Sequence, residues 1–376
     1  MRIAFPDLEG YNETATGRKV FDVSQAVTFK CPSCGAYLEY DPNAQQFTCP
    51  YCGQSLTHEQ MQMLSGNQTQ KAETRPVPPV TAHSAGSHLR SYHCNACGAE
   101  IVTEETTAAT RCYYCHSPVV LTDRLDGEFK PYGVVPFSLD KDAALRKFKE
   151  FIASKKFVDK RFFSDDQMDN FSGVYYPYWL GNIDGEGTFD GEGTRVSVVR
   201  GHRETITTTK FFHVTREGKL QFRNLVRKAL KKQDRQITDG IHPYQMEGMK
   251  KFDMAYLSGF LAEKRDIDES EVSEDILNEV SQRASARMKE NTKFQTLRGK
   301  TSFKPTKKEM LYVLLPAWVL TYRSDKADEV YYYMMNAQTG KVCGRLPVDK
   351  AKLMGFAAGI CAAVTAVLCM GGMFIW

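Results

Sequence analysis

The chain has 376 residues, 49 Lys/Arg against 45 Asp/Glu, 42% hydrophobic residues and a formal net charge of +4. That length gives room for two or three domains, the composition is ordinary for a globular protein, and the small charge gives no support for a general polyanion binder. No apolar run occupies residues 1–30, so no secretory leader is expected, and eight of the 11 cysteines fall in CxxC pairs, which points to metal in a reducing compartment.

Residues 1–27 have no clear period and read as an N-terminal arm. Residues 28–57 read as a first zinc ribbon with ligands Cys31, Cys34, Cys49 and Cys52. The 58–90 stretch, polar and rich in Pro, Ser, Thr and Gly from residue 66 onward, reads as a flexible linker. Such a tether would let the first ribbon move independently of the second. That second ribbon is expected over 91–121, with ligands Cys94, Cys97, Cys112 and Cys115.

A middle domain follows over 130–348. It opens on a helix capped by Ser138 or Asp140, with Ala144, Leu145, Phe148, Phe151 and Ile152 along one face. Tyr175–Leu180 then leads into Asp184-Gly185-Glu186-Gly187 and Asp190-Gly191-Glu192-Gly193, which read as paired tight turns between strands. A helix over 269–290 is expected from Asp268 and Glu271, spaced as a capping box with acids crowding its start. Leu314–Leu320, an aromatic strand at 329–335, an Asn336–Gly340 turn and a strand through Val342 and Cys343 close the domain. The segments Pro177/Trp179 and Pro316/Trp318 fit either an internal duplication or two aromatic strands of one sheet.

Residues 353–376 contain no charged side chain. As a helix rising ~1.5 Å per residue they span about 36 Å, enough for a hydrocarbon core of about 30 Å. Arg345, Lys350 and Lys352 precede the span, so the positive-inside rule places the N-terminal domains in the cytoplasm and the chain in the cell membrane as a single-pass tail-anchored protein. Gly355 and Gly359 form a GxxxG through which the helix could self-associate. The expected class is therefore α+β: two small four-cysteine zinc ribbons, a mixed α/β-rich middle domain with antiparallel strands, and one C-terminal transmembrane helix.

Both ribbons have the spacing Cys-x2-Cys-x14-Cys-x2-Cys. Two turns each present two thiolates, and the intervening stretch lets a hairpin bring the second turn opposite the first to complete a tetrahedron. Gly35, Gly53 and Gly98 follow the second cysteine of their pairs, where the turn needs a permissive backbone, and His116 takes that place in the last. Redox CxxC and iron–sulfur readings compete with two structural zinc ions. A closed four-thiolate site has no open coordination position, which argues against zinc catalysis. Two such sites, each adding about two negative charges, bring the net charge to about zero.

Residues 195–235 hold 12 Lys/Arg and three acids, whereas 266–279 hold seven acids and no base. Within the basic stretch Arg223, Arg227, Lys228, Lys231, Lys232 and Arg235 are candidates for anion or lipid contact, against the plainer reading of a solvated surface. There is no HExxH, GxSxG or Walker loop, and no defensible triad, so an enzyme is not expected.

The ribbons resemble those of transcription factor IIB, over about 25 residues per copy. Ile241-His242-Pro243-Tyr244, Phe252, Ala255–Phe260 and Ala262-Glu263-Lys264, with Leu315–Trp318 and Met335–Pro347, resemble a bacterial family described as TFIIB-type zinc ribbon-containing proteins, often misnamed primosomal helicase fragments. The resemblance runs from about residue 28 to the membrane helix. It implies a membrane-anchored accessory protein of envelope stress, partnered with phage-shock-protein-A-like and SPFH/flotillin-like proteins, and no catalytic residues. The expectation is a non-enzymatic adaptor that holds protein partners at the cytoplasmic face of the membrane. The alternative is a nucleic-acid-binding zinc-ribbon regulator, against which the cancelled charge and the anchor both weigh.

Overall fold

The computed structural model describes residues 26–68, 89–94, 97, 99–112, 115–159, 171–202, 204–232, 235–290, 292–323 and 330–373. Nearly all of the N-terminal arm, most of the linker and Gly98 lie outside them.

The first cysteine module follows the short strand β1 (Ala26–Val27) and consists of β2 (Glu39–Asp41), β3 (Gln46–Thr48) and β4 (Ser55–Leu56) in one antiparallel sheet. Helix α1 (His58–Gln68) follows directly, where a linker was expected from residue 58. Its start has a local cause. The Gln60 side chain accepts the Thr57 backbone N–H at 2.9 Å while the Thr57 hydroxyl accepts the Gln60 N–H at 3.4 Å, the reciprocal arrangement of a capping box. Met61, one turn in, is buried in the main core.

The second module is built from β5 (Leu89–His93), β6 (Glu100–Glu104), β7 (Thr107–Arg111) and β8 (Pro118–Leu121). The body comprises β9 (Gly133–Val134), α2 (Lys141–Ala153), β10 (Ser172–Arg200), β11 (Thr205–Lys228), α3 (Arg235–Gly240), β12 (Lys250–Lys251), β13 (Leu261–Glu263), α4 (Glu269–Lys289), β14 (Thr296–Arg323), β15 (Val330–Asn336) and β16 (Val342–Gly344). Helix α5 (Lys350–Met373) ends the described chain. The architecture is α+β.

One 11-stranded sheet organises the molecule, in the order β1-β8-β7-β13-β10-β14-β15-β16, with β11 on β10 and the β9–β12 pair on β14. Half of the second module is part of it: Ala109 of β7 pairs with Ala262 of β13 and Val120 of β8 with Val27 of β1, while β5 and β6 form a two-stranded sheet of their own. The first module packs onto it. Leu38, Tyr40, Phe47, Leu56 and Met61 share a core with Phe137, Phe148, Tyr175, Tyr256, Leu257 and Trp318. Polar contacts fix the seat: the Tyr40 N–H donates to the Ser258 carbonyl at 3.2 Å, and the Gln45 amide donates to the Phe137 carbonyl at 2.8 Å. Independent motion of the first module, expected from the linker, is incompatible with this packing.

Strands β10, β11 and β14 are long enough to form a blade, since 29 residues of β10 at ~3.3 Å each extend about 95 Å. The Gly185–Gly193 stretch lies inside β10 and not in tight turns. Its glycines supply space. A Cβ at Gly187 would lie 2.8 Å from Leu220 Cδ1 and 3.1 Å from Met288 Sδ, and one at Gly193 would lie 2.7 Å from the Phe294 ring. Helix α4 lies across this bare stripe through Ile276, Val280, Ala284 and Met288. Its start agrees with the sequence: the Glu271 carboxylate accepts the Asp268 N–H at 3.0 Å.

Pro177/Trp179 and Pro316/Trp318 lie on neighbouring antiparallel strands, with Tyr175 opposite Pro316 and Trp179 opposite Tyr312. Their indoles donate to the Ile267 and Leu139 carbonyls, each at 2.9 Å. Of the two caps proposed for α2, Asp140 is used, accepting the Ala143 N–H at 2.6 Å. The Asn336–Gly340 turn forms as expected, with Asn336 Oδ1 accepting from Gln338 and Thr339 and Gly340 at φ +76°.

Candidate metal centres

Three of the four CxxC turns close with the same backbone hydrogen bond. The backbone N–H of Gly35 donates to the Cys31 carbonyl, that of Gly53 to Cys49 and that of His116 to Cys112, all at 2.9 Å. The chain passes through the left-handed region at these positions, with φ +74° at Gly35, +73° at Gly53 and +57° at His116. Glycine does this freely, and His116 tolerates it as a side chain that points outward from an exposed turn.

The turns bring each ligand set together. In the first centre Cys31 and Cys52 Sγ are 3.6 Å apart and Cys34 and Cys49 Sγ 3.5 Å. In the second, Cys94–Cys115 and Cys97–Cys112 are both 3.7 Å. All four sulfurs of each set lie within 4.8 Å of one another. A tetrahedron with metal–sulfur bonds of ~2.3 Å has sulfur–sulfur edges of about 3.8 Å. Both sets are thus positioned to hold a metal ion, and in each one cysteine of every pair is buried and the other exposed.

The donor chemistry fits a cation as well. The Cys52 backbone N–H draws the Cys49 thiol down to about 7 against the cost of burial, with the Tyr51 N–H and neighbouring thiols helping. At Cys34 the Ala36 N–H acts in the same lowering sense, but burial and three crowded thiols outweigh it and push the group up to about 12. Cys97 is likewise pushed to about 12 despite the Ala99 N–H. Four thiols this close cannot all ionise without a positive charge among them.

Sequence reading missed two supporting residues. Ser117 Oγ lies 2.9 Å from Cys115 Sγ and 3.5 Å from Cys94 Sγ. Tyr37, from the first module, reaches the same place. Burial and then the charge of Cys115 and Cys94 push its hydroxyl pKa up, with the neighbouring Ser117 acting in the opposite sense. The first module therefore supplies a group beside the second centre. The only sequence signal was the position two residues past the last ligand, where Gln54 stands in the first module and Ser117 in the second.

The six basic residues proposed for anion contact are engaged within the molecule. Arg223 pairs with Asp184, Arg227 with Glu279, Lys231 with Glu271, Lys232 with Glu104 and Glu263, and Arg235 with Asp239 and Asp275. Lys228 Nζ donates to the Lys231 carbonyl at 3.4 Å. Three of the six, Arg227, Lys231 and Arg235, pair with acids of α4.

Helix α5 is long and apolar enough to cross a membrane: Lys350–Leu368 has a mean hydropathy of 1.8 and none of it is buried in the protein. Gly355 and Gly359 both lie on it with open space around them.

The chain is 28% identical over 360 residues to the uncharacterized protein YdjG of Bacillus subtilis (strain 168), an alignment covering 93% of this chain and 99% of the relative. No family model matches the sequence. No solved structure matches it.

Proposed function

We propose that the protein is a non-enzymatic, membrane-anchored adaptor whose two cysteine modules, each closed around a structural zinc ion, hold protein partners at the cytoplasmic face of the membrane. The observation that carries this reading is the geometry of the centres. Four thiolates per ion leave no coordination position for substrate or water, so the metal's role is to shape the module. What that shape presents is an exposed aromatic at a turn tip: Tyr51 is 83% exposed between Cys49 and Cys52, the kind of side chain that anchors protein interfaces.

Orientation follows from charge. Arg345, Lys350 and Lys352 flank the start of the apolar helix, which favours a cytoplasmic body. The resemblance to the TFIIB-type zinc ribbon family makes phage-shock-protein-A-like and SPFH/flotillin-like proteins the first partners to seek, in an envelope stress response. The nucleic-acid alternative is the less favoured reading, because five of the six candidate basic residues already pair with acids.

The test is affinity purification of the tagged full chain from membranes. A partner recovered with the wild type and lost with Tyr51→Ala, a surface change that leaves the ligands intact, is the expected result. A wild-type sample free of any partner sensitive to Tyr51→Ala or to Cys-to-Ser replacement in either module would sink the adaptor reading.

A further inference from the structure

Strand β11 is an outer strand of the blade and pairs with β10 alone among the described strands. The direction of its backbone groups follows from β10. The Val196 N–H donates to Gln295 Oε1 at 2.7 Å, and the Val196 carbonyl accepts from the Gln295 amide at 2.8 Å. Even-numbered residues of β10 here thus turn their backbone groups toward β14, and odd-numbered ones toward β11. Arg195 lies opposite Lys210 and Ser197 opposite Thr208, so the even-numbered residues of β11 take the inner bonds. Thr207, Thr209, Phe211 and His213 point their N–H and C=O groups outward, where no partner meets them among the described residues.

The two long edges of the blade are not alike. The open part of β14 carries Lys300, Lys304, Lys307 and Lys308, with Pro305 beside a register shift. Lysines, proline and bulges are the devices by which sheets keep foreign strands away. Over Thr205–Thr215, β11 has one lysine, no proline and no register shift. Its other residues are mostly threonine, phenylalanine, isoleucine and valine, the side chains that favour strands. Every residue from Thr205 to Phe211 is exposed, and Phe211 is 71% exposed. One edge is guarded and the other is left ready to pair.

We propose that this edge pairs with the same edge of a second copy of the chain, antiparallel and two-fold symmetric about Phe211, joining two blades into one continuous sheet. The strand is its own complement in this register. Thr207 lies opposite the second copy's Thr215, Lys210 opposite its Phe212, and Ile206 opposite its Arg216. The two Phe211 rings face each other with Cβ atoms about 5 Å apart, an aromatic cross-strand pair, and no like charges are opposed. Moving the axis to His213 would set Lys210 opposite Arg216, which opposes pairing. The axis is normal to the sheet, so α4 of both copies covers one face. The acidic row Glu186, Asp190 and Glu192, exposed in each copy, stays in solvent on the other. An isologous contact of this kind closes on itself at two chains.

The test is the protein mass of the full chain in detergent micelles, read by light scattering with the detergent subtracted. The parent should contain two chains. Thr209→Pro deletes an outward N–H and leaves the bonds to β10 in place, so it should yield a folded single chain. Phe211→Asp and Phe211→Lys should each dissociate as well, because the axis sets two like charges face to face. Mixing these two variants should restore the pair, a rescue that a merely misfolded strand would not show. Gly355→Leu/Gly359→Leu, on the membrane helix, should leave the parent mass unchanged. The proposal is overturned if the parent is a single chain, or if Thr209→Pro keeps two chains. It is equally overturned if the Phe211 variants fail to rescue each other, or if only the glycine replacements separate the chains, which would assign the contact to the helix.

Discussion

Replacing Cys49 by Ser removes one of four thiolates from the first centre, and the consequence should reach well beyond the module. Structural zinc in small domains supplies an apparent ~10–16 kcal/mol, most of it folding energy of the segment that holds the ion. Here the folded segment is also part of the body's core. Leu38, Tyr40, Phe47 and Met61 are buried with Phe137, Tyr256 and Leu257. Exposing four such side chains costs roughly 1.5–3 kcal/mol each, about 6–12 kcal/mol together, against a total of only about 5–15 kcal/mol for a typical domain. Cys49→Ser should therefore remove most of the body's stability. Denaturant unfolding followed by tryptophan fluorescence measures this directly, because Trp179 and Trp318 are buried in body strands and the third tryptophan, Trp376, is silenced by Trp376→Phe in both proteins. A transition near zero denaturant in the variant is expected. A tryptophan midpoint equal to that of the parent would mean that the module is an independent bead, and would refute the shared core.

Two further outcomes follow from the blade and from the buried imidazole. Gly187→Val should destabilise by about 1–3 kcal/mol through overpacking, because its side chain enters space held by Leu220 and Met288, and thermal melts of the detergent-solubilised protein would register the drop. For His242, burial lowers the folded-state value from 6.5 to about 4. Between these values the unfolded chain binds a proton that the folded protein refuses. The contribution is thus complete above pH 6.5 and lost as pH falls towards 4, up to about 3 kcal/mol. Unfolding free energies measured across that window should slope less in His242→Asn than in the parent, and equal slopes would rule the imidazole out as the cause.

What could be read in the chain was what is local in it. Both ligand sets lie within CxxC pairs closed by short hairpins, so spacing alone assembles them. The Asp140 cap and the Glu271 contact at the start of α4 are likewise decided within four residues. The Thr57–Gln60 box was equally local and was obscured by the polar composition that follows it. Features that depend on distant partners were misread or left open. Gly185–Gly193 looks like turns until Leu220, Met288 and Phe294 are placed against it. The basic run looks like an anion surface until Glu263, Glu271, Asp275 and Glu279 arrive from elsewhere in the chain. The seat of the first module needed Tyr40 and Tyr256, 5.4 Å apart between ring centres and separated by most of the body's sequence.

This seat changes what an adaptor of this design could do. A module on a loose tether would capture a partner and convey nothing more than proximity. A module packed into the body offers a continuous set of contacts instead. Asn43 of the first module binds Asp140 at the cap of α2, and Phe148 and Phe151 on that helix pack on Tyr333. Beyond the helix, Phe157 packs on Phe356 of α5, with ring centres 5.3 Å apart, and Val158 bridges to Val348 just before it. In the proposed adaptor, force or reorientation imposed by a partner on the cysteine modules would therefore reach the membrane helix through packed side chains. Tyr37 of the first module lies close enough to the second centre for the charge of Cys115 and Cys94 to raise its hydroxyl pKa, which places both centres in the same unit. Metal loss at either centre would then loosen the attachment of both modules to the helix, which makes metal occupancy a condition for coupling partner to membrane as well as for folding.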